Sequence, residues 1–301
     1  MRFKRLDLNL LVALDHMIEL RSVSAAADKM FMSQSAMSNA LTRLRDYFDD
    51  PLLVQVGRRM EVTPRAESMR AAIRDILVRV EATIDSQPEF RPEESTRTFN
   101  ILLSDYSLRV LMPTVCRLVS AESSTIKLNL RAQTELPQVL LERGEIDLLI
   151  SPEKFMSTDH PYGLLYEDEY VVAAWAGGKY GNVTMDRATY ESASHAVMVP
   201  PNSAKSLETS LLAQAGIERH IDVQTFSFTS LPHLITGTDR IASIHRRLAH
   251  LLAPQAELVT YPLPAEVPPL RQMLQWHAYR EKDPGIIWLR ALIERAAAGL
   301  P

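Results

Sequence analysis

A run of short polar side chains recurs on one side of a predicted helix that starts near Ser33. Side-chain amides can pair with two atoms of one adenine, and serine is short enough to let a helix approach a base pair closely. Arginine at such a surface binds phosphate or guanine. The residues of this candidate DNA-reading surface are Ser33, Gln34, Ser35, Ser38, Asn39, Thr42, Arg43 and Arg45.

Three short helices are predicted to position this surface. Each has apolar residues at spacings of three and four, and the second and third begin at a serine that can cap a helix, Ser22 and Ser33. A two-residue break, Phe31-Met32, separates them. The predicted inward residues are Leu10, Leu11, Leu14, Met17, Ile18, Ala26, Ala27, Met30, Met37, Ala40, Leu41, Leu44 and Phe48.

Two short extended segments follow, over 52–56 and 60–63, and Gly57-Arg58-Arg59 joins them. This pattern predicts a hairpin whose tip, Arg58 and Arg59, can enter a minor groove or neutralise phosphate. Two close helices with a polar second helix are typical of a helix-turn-helix, which reads the major groove. The same polar stripe also fits the solvated face of a small helical domain, and the hairpin favours the DNA-reading interpretation.

Thr63-Pro64 predicts the start of a long helix, because proline favours the first helical position. Its apolar stripe has no other nearby core, so a second copy of the same helix is a plausible partner. A dimer would match an inverted-repeat operator. The stripe consists of Ala66, Met69, Ile73, Ile76, Val80 and Ile84.

Beyond a proline-rich and charged linker at 86–94, apolar strands alternate with helices. This order is typical of α/β layers, and we expect mainly parallel strands. Strands are predicted over 99–103, 127–130, 147–151, 171–175, 196–199, 221–226, 241–244, 258–261 and 272–277.

Composition limits the class of protein. The chain has 301 residues, a net charge of −4 and one cysteine, Cys116, which excludes an internal disulfide and a multi-cysteine metal site. No apolar run is long enough to span a bilayer, and polar residues interrupt the amphipathic N-terminus, so we expect a cytoplasmic protein. The histidines lack metal-ligand spacing and no catalytic motif occurs, so we expect no enzyme, metal or cofactor.

A second alternative is a small-molecule binding protein whose N-terminal module is only an interaction adapter. Such an adapter would not need Gln34, Ser38 and Asn39 beside an arginine-tipped hairpin. That combination favours a regulator that binds both DNA and a small effector.

Residues 6–66 resemble, continuously and with matching spacing, the DNA-binding region of LysR-type transcriptional regulators. Within that family, LDLNLL at the start, FDDPLLV after the third helix and QWHAYREKDPGIIWLR at 275–290 resemble the subgroup of nodulation and salicylate-responsive regulators. One departure is Ser35, where the family usually has proline. The resemblance implies an N-terminal winged helix-turn-helix over 1–63, a linker and dimerisation helix with its hinge over 64–94, and an effector domain over 95–301.

The resemblance also implies that the effector domain is a two-lobed α/β domain like periplasmic binding proteins. Lobe one would comprise 98–167 and 270–301, and lobe two 168–269, with the ligand between them. The subgroup favours an aromatic acid or phenol as effector, and the family implies a homodimer through the linker helix, a homotetramer and RNA polymerase as a further partner. The implied effector-binding residues are Ser104, Asp105, Tyr106, Gln133, Thr134, Ser151, Pro152, Glu169, Asn202, Ser203, Phe226, Phe228 and His245.

Overall fold

A computed structural model describes residues 6–57, 59–84, 89–200 and 206–301. It divides into two compact units, unit one at Met1–Ser86 and unit two at Gln87–Pro301. Within the described residues, no helix is both long and apolar enough to cross a membrane.

Unit one is a helical domain with a hairpin. Its elements in chain order are α1 (Leu8–Leu20), α2 (Val23–Lys29), α3 (Gln34–Phe48), β1 (Leu53–Val56), β2 (Arg59–Val62) and α4 (Pro64–Ile84). The serine caps predicted from the sequence are present, because Ser22 Oγ accepts from the Ala25 amide and Ser33 Oγ from the Ala36 amide, both at 3.2 Å. Phe31 takes a left-handed φ of 53° in the turn between α2 and α3.

The core of unit one joins all of these elements. Leu14 of α1, Met37 and Leu44 of α3 and Leu53 of β1 are fully buried together. The hairpin is antiparallel, with Leu53 opposite Val62 and Val56 opposite Arg59. Because the turn is tight, Gly57 adopts a φ of +62°, which glycine tolerates without steric cost.

The first half of α4 packs against this core through Ala66, Ile73 and Leu77. Arg74 of α4 also forms an ion pair with Asp15 of α1, and both side chains are largely buried. The start of the long helix is therefore an integral part of unit one.

Unit two contains two five-stranded sheets, each the centre of a lobe. Lobe one has the strand order β4-β3-β5-β12-β6 and lobe two the order β11-β7-β10-β8-β9. The strands are β3 (Thr98–Leu103), β4 (Lys127–Ala132), β5 (Leu148–Pro152), β6 (Tyr162–Asp168), β7 (Tyr170–Trp175), β8 (Ser194–Met198), β9 (His220–Thr225), β10 (Arg240–His245), β11 (Leu258–Pro262) and β12 (Leu270–Trp276). The helices are α5 (Asp105–Val110), α6 (Met112–Glu122), α7 (Pro137–Glu142), α8 (Arg187–Ser192), α9 (Leu207–Gln214), α10 (Leu231–Ile235), α11 (Arg246–Ala256) and α12 (Pro284–Ala298).

The strands are mainly parallel, as expected, because in each sheet four of the five strands run in one direction and one strand runs against them. In lobe one β3 is parallel to β4 and β5, but β12 is antiparallel to β5 and β6; in lobe two β7 is antiparallel to β10 and β11. The exceptions, β7 and β12, are the strands by which the chain enters one lobe from the other. The chain passes between the lobes at the edge of each sheet where its other strands end. A strand that enters a lobe therefore starts at this edge, and it runs in the direction opposite to the other strands.

Strand β6 lies outside the strands that the sequence predicts. It lies at the edge of the lobe one sheet and pairs only with β12 among the described strands. Its alternate residues are exposed, so it lacks the continuous apolar run that marks the central strands. The prediction relied on apolar runs and therefore missed this half-exposed edge strand.

Candidate functional site

The outer face of α3 is an exposed polar surface. Met37, Leu41 and Leu44 face the core of unit one, which leaves the opposite side of the helix in solvent. The exposed residues on that side are Gln34, Ser35, Ser38, Asn39 and Thr42, with the capping residue Ser33 before them. Local hydrogen bonds hold some of these groups, such as that from the Thr42 hydroxyl to the Ser38 carbonyl at 3.1 Å.

The arginines near this surface have different environments. Arg43 is exposed and pairs with exposed Asp7 at 3.2 Å, a contact that water can replace at little cost. Arg45 is half-buried, and its guanidinium donates to the carbonyls of Pro51 at 2.8 Å and Leu53 at 2.7 Å. Arg45 therefore ties α3 to the hairpin. Arg59 is exposed at the start of β2, and Arg58 lies outside the described residues.

Unit two has a cavity of about 360 Å³ between its lobes. This volume is in the range of small-molecule sites. Strands β3, β5 and β10 end at the cavity, so the residues that follow them in the chain reach it from both lobes. Eight residues predicted from the sequence line it: Ser104, Tyr106, Gln133, Thr134, Ser151, Pro152, Phe228 and His245.

Aromatic rings form one wall of the cavity. The His245 ring stacks on Tyr106 with centroids 3.9 Å apart, and it contacts Phe228 at 4.8 Å and Tyr170 at 5.0 Å. Burial lowers the pKa of His245 to about 3, with a smaller opposing effect from Asp105. His245 is therefore neutral near pH 7, and among the described residues its Nδ1 has no hydrogen-bond partner.

Hydrogen bonds hold the polar groups of the cavity wall. Gln133 Nε2 donates to Ser151 Oγ at 3.1 Å, and Gln272 Nε2 donates to Ser107 Oγ at 2.9 Å. Glu208 forms a buried ion pair with Arg219. The cavity thus combines an aromatic wall with fixed amide, hydroxyl and carboxylate groups, which suits a small aromatic molecule with polar substituents.

Both units match known family models. Residues 8–67 match the bacterial regulatory helix-turn-helix protein model of the LysR family, and residues 92–298 match the LysR substrate binding domain. The chain belongs to the LysR family of transcriptional regulators. This LysR-type regulator is therefore a DNA-binding protein with an effector domain, and the family is not one of enzymes.

Individual proteins share this organisation along nearly the whole chain. Nodulation protein D 2 of Sinorhizobium fredii is 39% identical over 298 residues, which cover 99% of this regulator and 96% of that protein. A probable transcriptional regulator from Pseudomonas aeruginosa has 30% identity and a TM-score of 0.65, covering 99% of this chain and 98% of that one. Full-length LysG of Corynebacterium glutamicum with bound effector Arg has 16% identity and a TM-score of 0.64, covering 97% and 98%, and shares the fold.

Three of the predicted effector residues lie away from the cavity lining in the regulator. Asp105 points to lobe two and bonds to Ser227 and Thr229. Glu169 is exposed and forms an ion pair with Arg246, and Phe226 is 85% exposed. Their neighbours in the chain, Tyr106, Tyr170 and Phe228, line the cavity instead. Two other predicted residues, Asn202 and Ser203, lie outside the described residues.

Other lining residues of the regulator were not predicted from the sequence. They are Glu135, Pro137, Phe155, Tyr170, Met198, Pro200, Ser206, Leu207, Glu208, Leu270 and Gln272. Tyr170 and Leu270 begin the two strands that enter a lobe from the other one, so locating the crossovers would have found them. A local sequence signal could have indicated Ser206 and Glu208. Ser206 is the N-cap of α9, and Glu208 lies in the first turn of that helix. In the described part of the chain, no group of three or more His, Cys, Asp or Glu is placed to hold a metal.

Proposed function

We propose that this LysR-type regulator reads an inverted-repeat operator with two copies of unit one, and that an aromatic acid or phenol in the interlobe cavity changes that binding. The DNA-reading part rests on one observation: the polar outer face of α3 is exposed beside a hairpin that carries exposed Arg59. Gln34 and Asn39 would contact bases, and Ser33, Ser35, Ser38, Thr42, Arg43 and the hairpin arginines would contact bases or phosphates. Arg45 would act by holding the hairpin.

An operator selected from random DNA by the purified protein tests this assignment. Asn39→Ala should weaken specific binding by about 1 to 3 kcal/mol, or roughly 5- to 150-fold, whereas Arg58→Ala should also reduce the salt dependence. The matched control is Asn129→Ala, which removes an exposed asparagine from β4 of unit two. If Asn39→Ala and Arg58→Ala both leave specific affinity unchanged, the DNA-reading assignment is wrong.

The effector class is supported by the aromatic wall formed by Tyr106, Tyr170, Phe228 and His245. Aromatic ligands gain both burial and ring contacts there. LysG has a bound effector Arg, but at 16% identity it is similar in fold alone and does not indicate the effector chemistry of this chain. Among the described lining residues there is no lysine or arginine, which favours a phenol hydroxyl over a carboxylate. Lys205, next to lining residue Ser206, lies outside the described residues.

A panel of aromatic acids and phenols, followed by thermal melting and then titration, tests the effector class. Phe228→Ala should weaken binding of the best compound by about 1 to 2 kcal/mol, roughly 5- to 30-fold, because the ring lines the cavity. Phe226→Ala is the matched control, since Phe226 is two residues away and exposed. Absence of any response across the panel, or equal effects of both phenylalanine variants, contradicts the proposal.

The remaining features of the proposal concern organisation. We assign the winged helix-turn-helix to 1–63, the linker helix and hinge to 64–94, and the effector domain to 95–301. Within the last, lobe one takes 98–167 and 270–301, and lobe two 168–269. The crossovers after β6 and before β12 support these limits except at Asp168, which ends β6 in the sheet of lobe one. We propose that the regulator forms a homodimer through α4 and assembles into a homotetramer. RNA polymerase is its proposed protein partner, and the cytoplasm is its proposed location.

A further inference from the structure

Asp105 connects the two lobes of unit two. It is the first residue of α5 in lobe one, directly after Ser104, which caps that helix. Its Oδ2 accepts hydrogen bonds from Ser227 Oγ at 2.7 Å, from the Thr229 amide at 2.9 Å and from Thr229 Oγ1 at 3.0 Å. All three donors belong to the loop that follows β9 in lobe two. Because hydrogen bonds to a carboxylate are stronger than those between neutral groups, this contact is a substantial link.

The same short segments also carry cavity residues. Phe228 lies between Ser227 and Thr229 and lines the cavity, and Tyr106 follows Asp105 and lines it from lobe one. Asp105 itself faces away from the cavity lining. A displacement of either backbone segment therefore changes both the position of its ring in the cavity and the geometry of the Asp105 hydrogen bonds.

We propose that Asp105 is a positioning residue, a latch that holds lobe one to the 227–229 loop and so couples occupancy of the cavity to the distance between the lobes. The functional consequence rests on the effector site proposed above, whereas the latch itself does not. A ligand that touches both Tyr106 and Phe228 stabilises the latched arrangement, and by linkage the latch strengthens binding of that ligand.

The interlobe distance in the full-length protein tests the latch without effector or DNA. Nitroxide labels at Lys127→Cys in lobe one and Ala188→Cys in lobe two, both exposed positions, report this distance by pulsed electron resonance in a Cys116→Ser background. Labelled protein is mixed with excess unlabelled protein, so that only distances within one chain are seen.

Asp105→Ala should lengthen the mean distance by at least about 2 Å and broaden its distribution. The double variant Ser227→Ala/Thr229→Val should do the same, because it removes the hydroxyl donors without altering α5. Combining all three substitutions should produce no further shift, since the two sides of one interaction are not additive. Ser230→Ala is the matched control: its hydroxyl bonds to Ser227 and makes no described bond to Asp105, so the distance should stay unchanged.

Asp105 could instead serve only to stabilise the start of α5, as acidic residues at helix N-termini do. In that case Asp105→Ala lowers the melting temperature but leaves the distance unchanged, and the loop variants have no effect on it. That result, or additive shifts, overturns the latch. The distance measurement uses neither DNA nor effector, so its result is independent of the operator and effector experiments. Failure of the latch can therefore be distinguished from failure of the proposed function.

Discussion

Arg43 and Arg45 lie two residues apart on α3, yet their guanidinium groups have different partners. Arg43 meets an exposed carboxylate, and Arg45 meets two backbone carbonyls at the start of the hairpin. The sequence assigns both arginines to DNA contact, because their types and spacing are equivalent. The environments differ because the chain after Asp50 passes next to Arg45 and presents the carbonyls of Pro51 and Leu53 to it. The residue types alone do not predict this path.

Removal of the Arg45 side chain should loosen the hairpin locally. Arg45→Ala leaves the carbonyls of Pro51 and Leu53 without their charged donor, so the free energy of local opening should fall by about 2 kcal/mol, roughly 30-fold in the opening equilibrium. Hydrogen exchange of the amides at 53–62 measures this change. Arg43→Ala is the control and should leave exchange of those amides near its original rate. Equal protection in the two variants would contradict this role for Arg45.

Two buried histidines make stability depend on pH. Burial lowers the pKa of His245 to about 3 and that of His195 to about 4. In the unfolded chain each would take up a proton near pH 6.5, so unfolding binds protons below that pH. Stability should therefore fall as the pH drops from about 6.5 toward 4, by up to about 1.4 kcal/mol per pH unit for each histidine.

Replacing His245 isolates its share of this slope. His245→Phe should reduce the pH dependence of the unfolding free energy of unit two between pH 6.5 and 4.5, because the phenyl ring cannot titrate. The number of protons taken up on unfolding should fall by about one. Denaturant unfolding at several pH values measures it. If His245→Phe keeps the original slope, His245 does not titrate as its burial indicates.

At the scale of elements, α4 has two differently occupied sides. Ala66, Ile73 and Leu77 are buried against unit one, whereas Ile76 is 43% exposed on the other side. The predicted stripe placed Ile73 and Ile76 together, because spacing alone cannot divide a helix between a core and a partner. The exposed side is the part available to a second copy of the chain.

A charge on this side should break the proposed dimer contact. Ile76→Glu would place a carboxylate where two copies of α4 meet, so the assembly should dissociate at concentrations at which the parent remains associated. Sedimentation velocity of the full-length protein measures its mass. Ala71→Glu adds the same charge at an exposed position on a different side of the helix and should leave the mass unchanged. Identical masses for all three proteins would exclude α4 as the dimer contact.

For the whole molecule, the proposed dimer makes operator binding bivalent. The two copies of unit one in a dimer must bind half-sites on the same side of the duplex. These half-sites lie about one helical turn, or a multiple of it, apart. Inserting 5 base pairs between the half-sites should therefore lower affinity at least about tenfold, and inserting 10 should restore most of it. Gel-shift titration against such operators measures this. Equal affinity for all spacings would show that each unit one binds independently.

Local sequence signals predict nearly all of the fold of unit one. Apolar spacing selects the inner faces of α1 to α3, Ser22 and Ser33 set helix starts, and Gly57 marks the hairpin turn. These signals act between residues close in the chain, so they can be interpreted locally. Most central strands of unit two were also predictable, because continuous apolar runs mark buried strands.

Long-range contacts set the position of the edge strand β6 and the reversed direction of β7 and β12. They also determine that Tyr106 lines the cavity while its neighbour Asp105 bonds to the other lobe. Sequence resemblance pointed to the right segments around the cavity and to eight of its lining residues, but it also included Asp105, Glu169 and Phe226, which lie away from the lining. Which residue of a segment faces the cavity depends on the strand order and on the contacts between the lobes. Such contacts join residues more than 100 positions apart, such as Asp105 and Thr229, so local spacing cannot predict them.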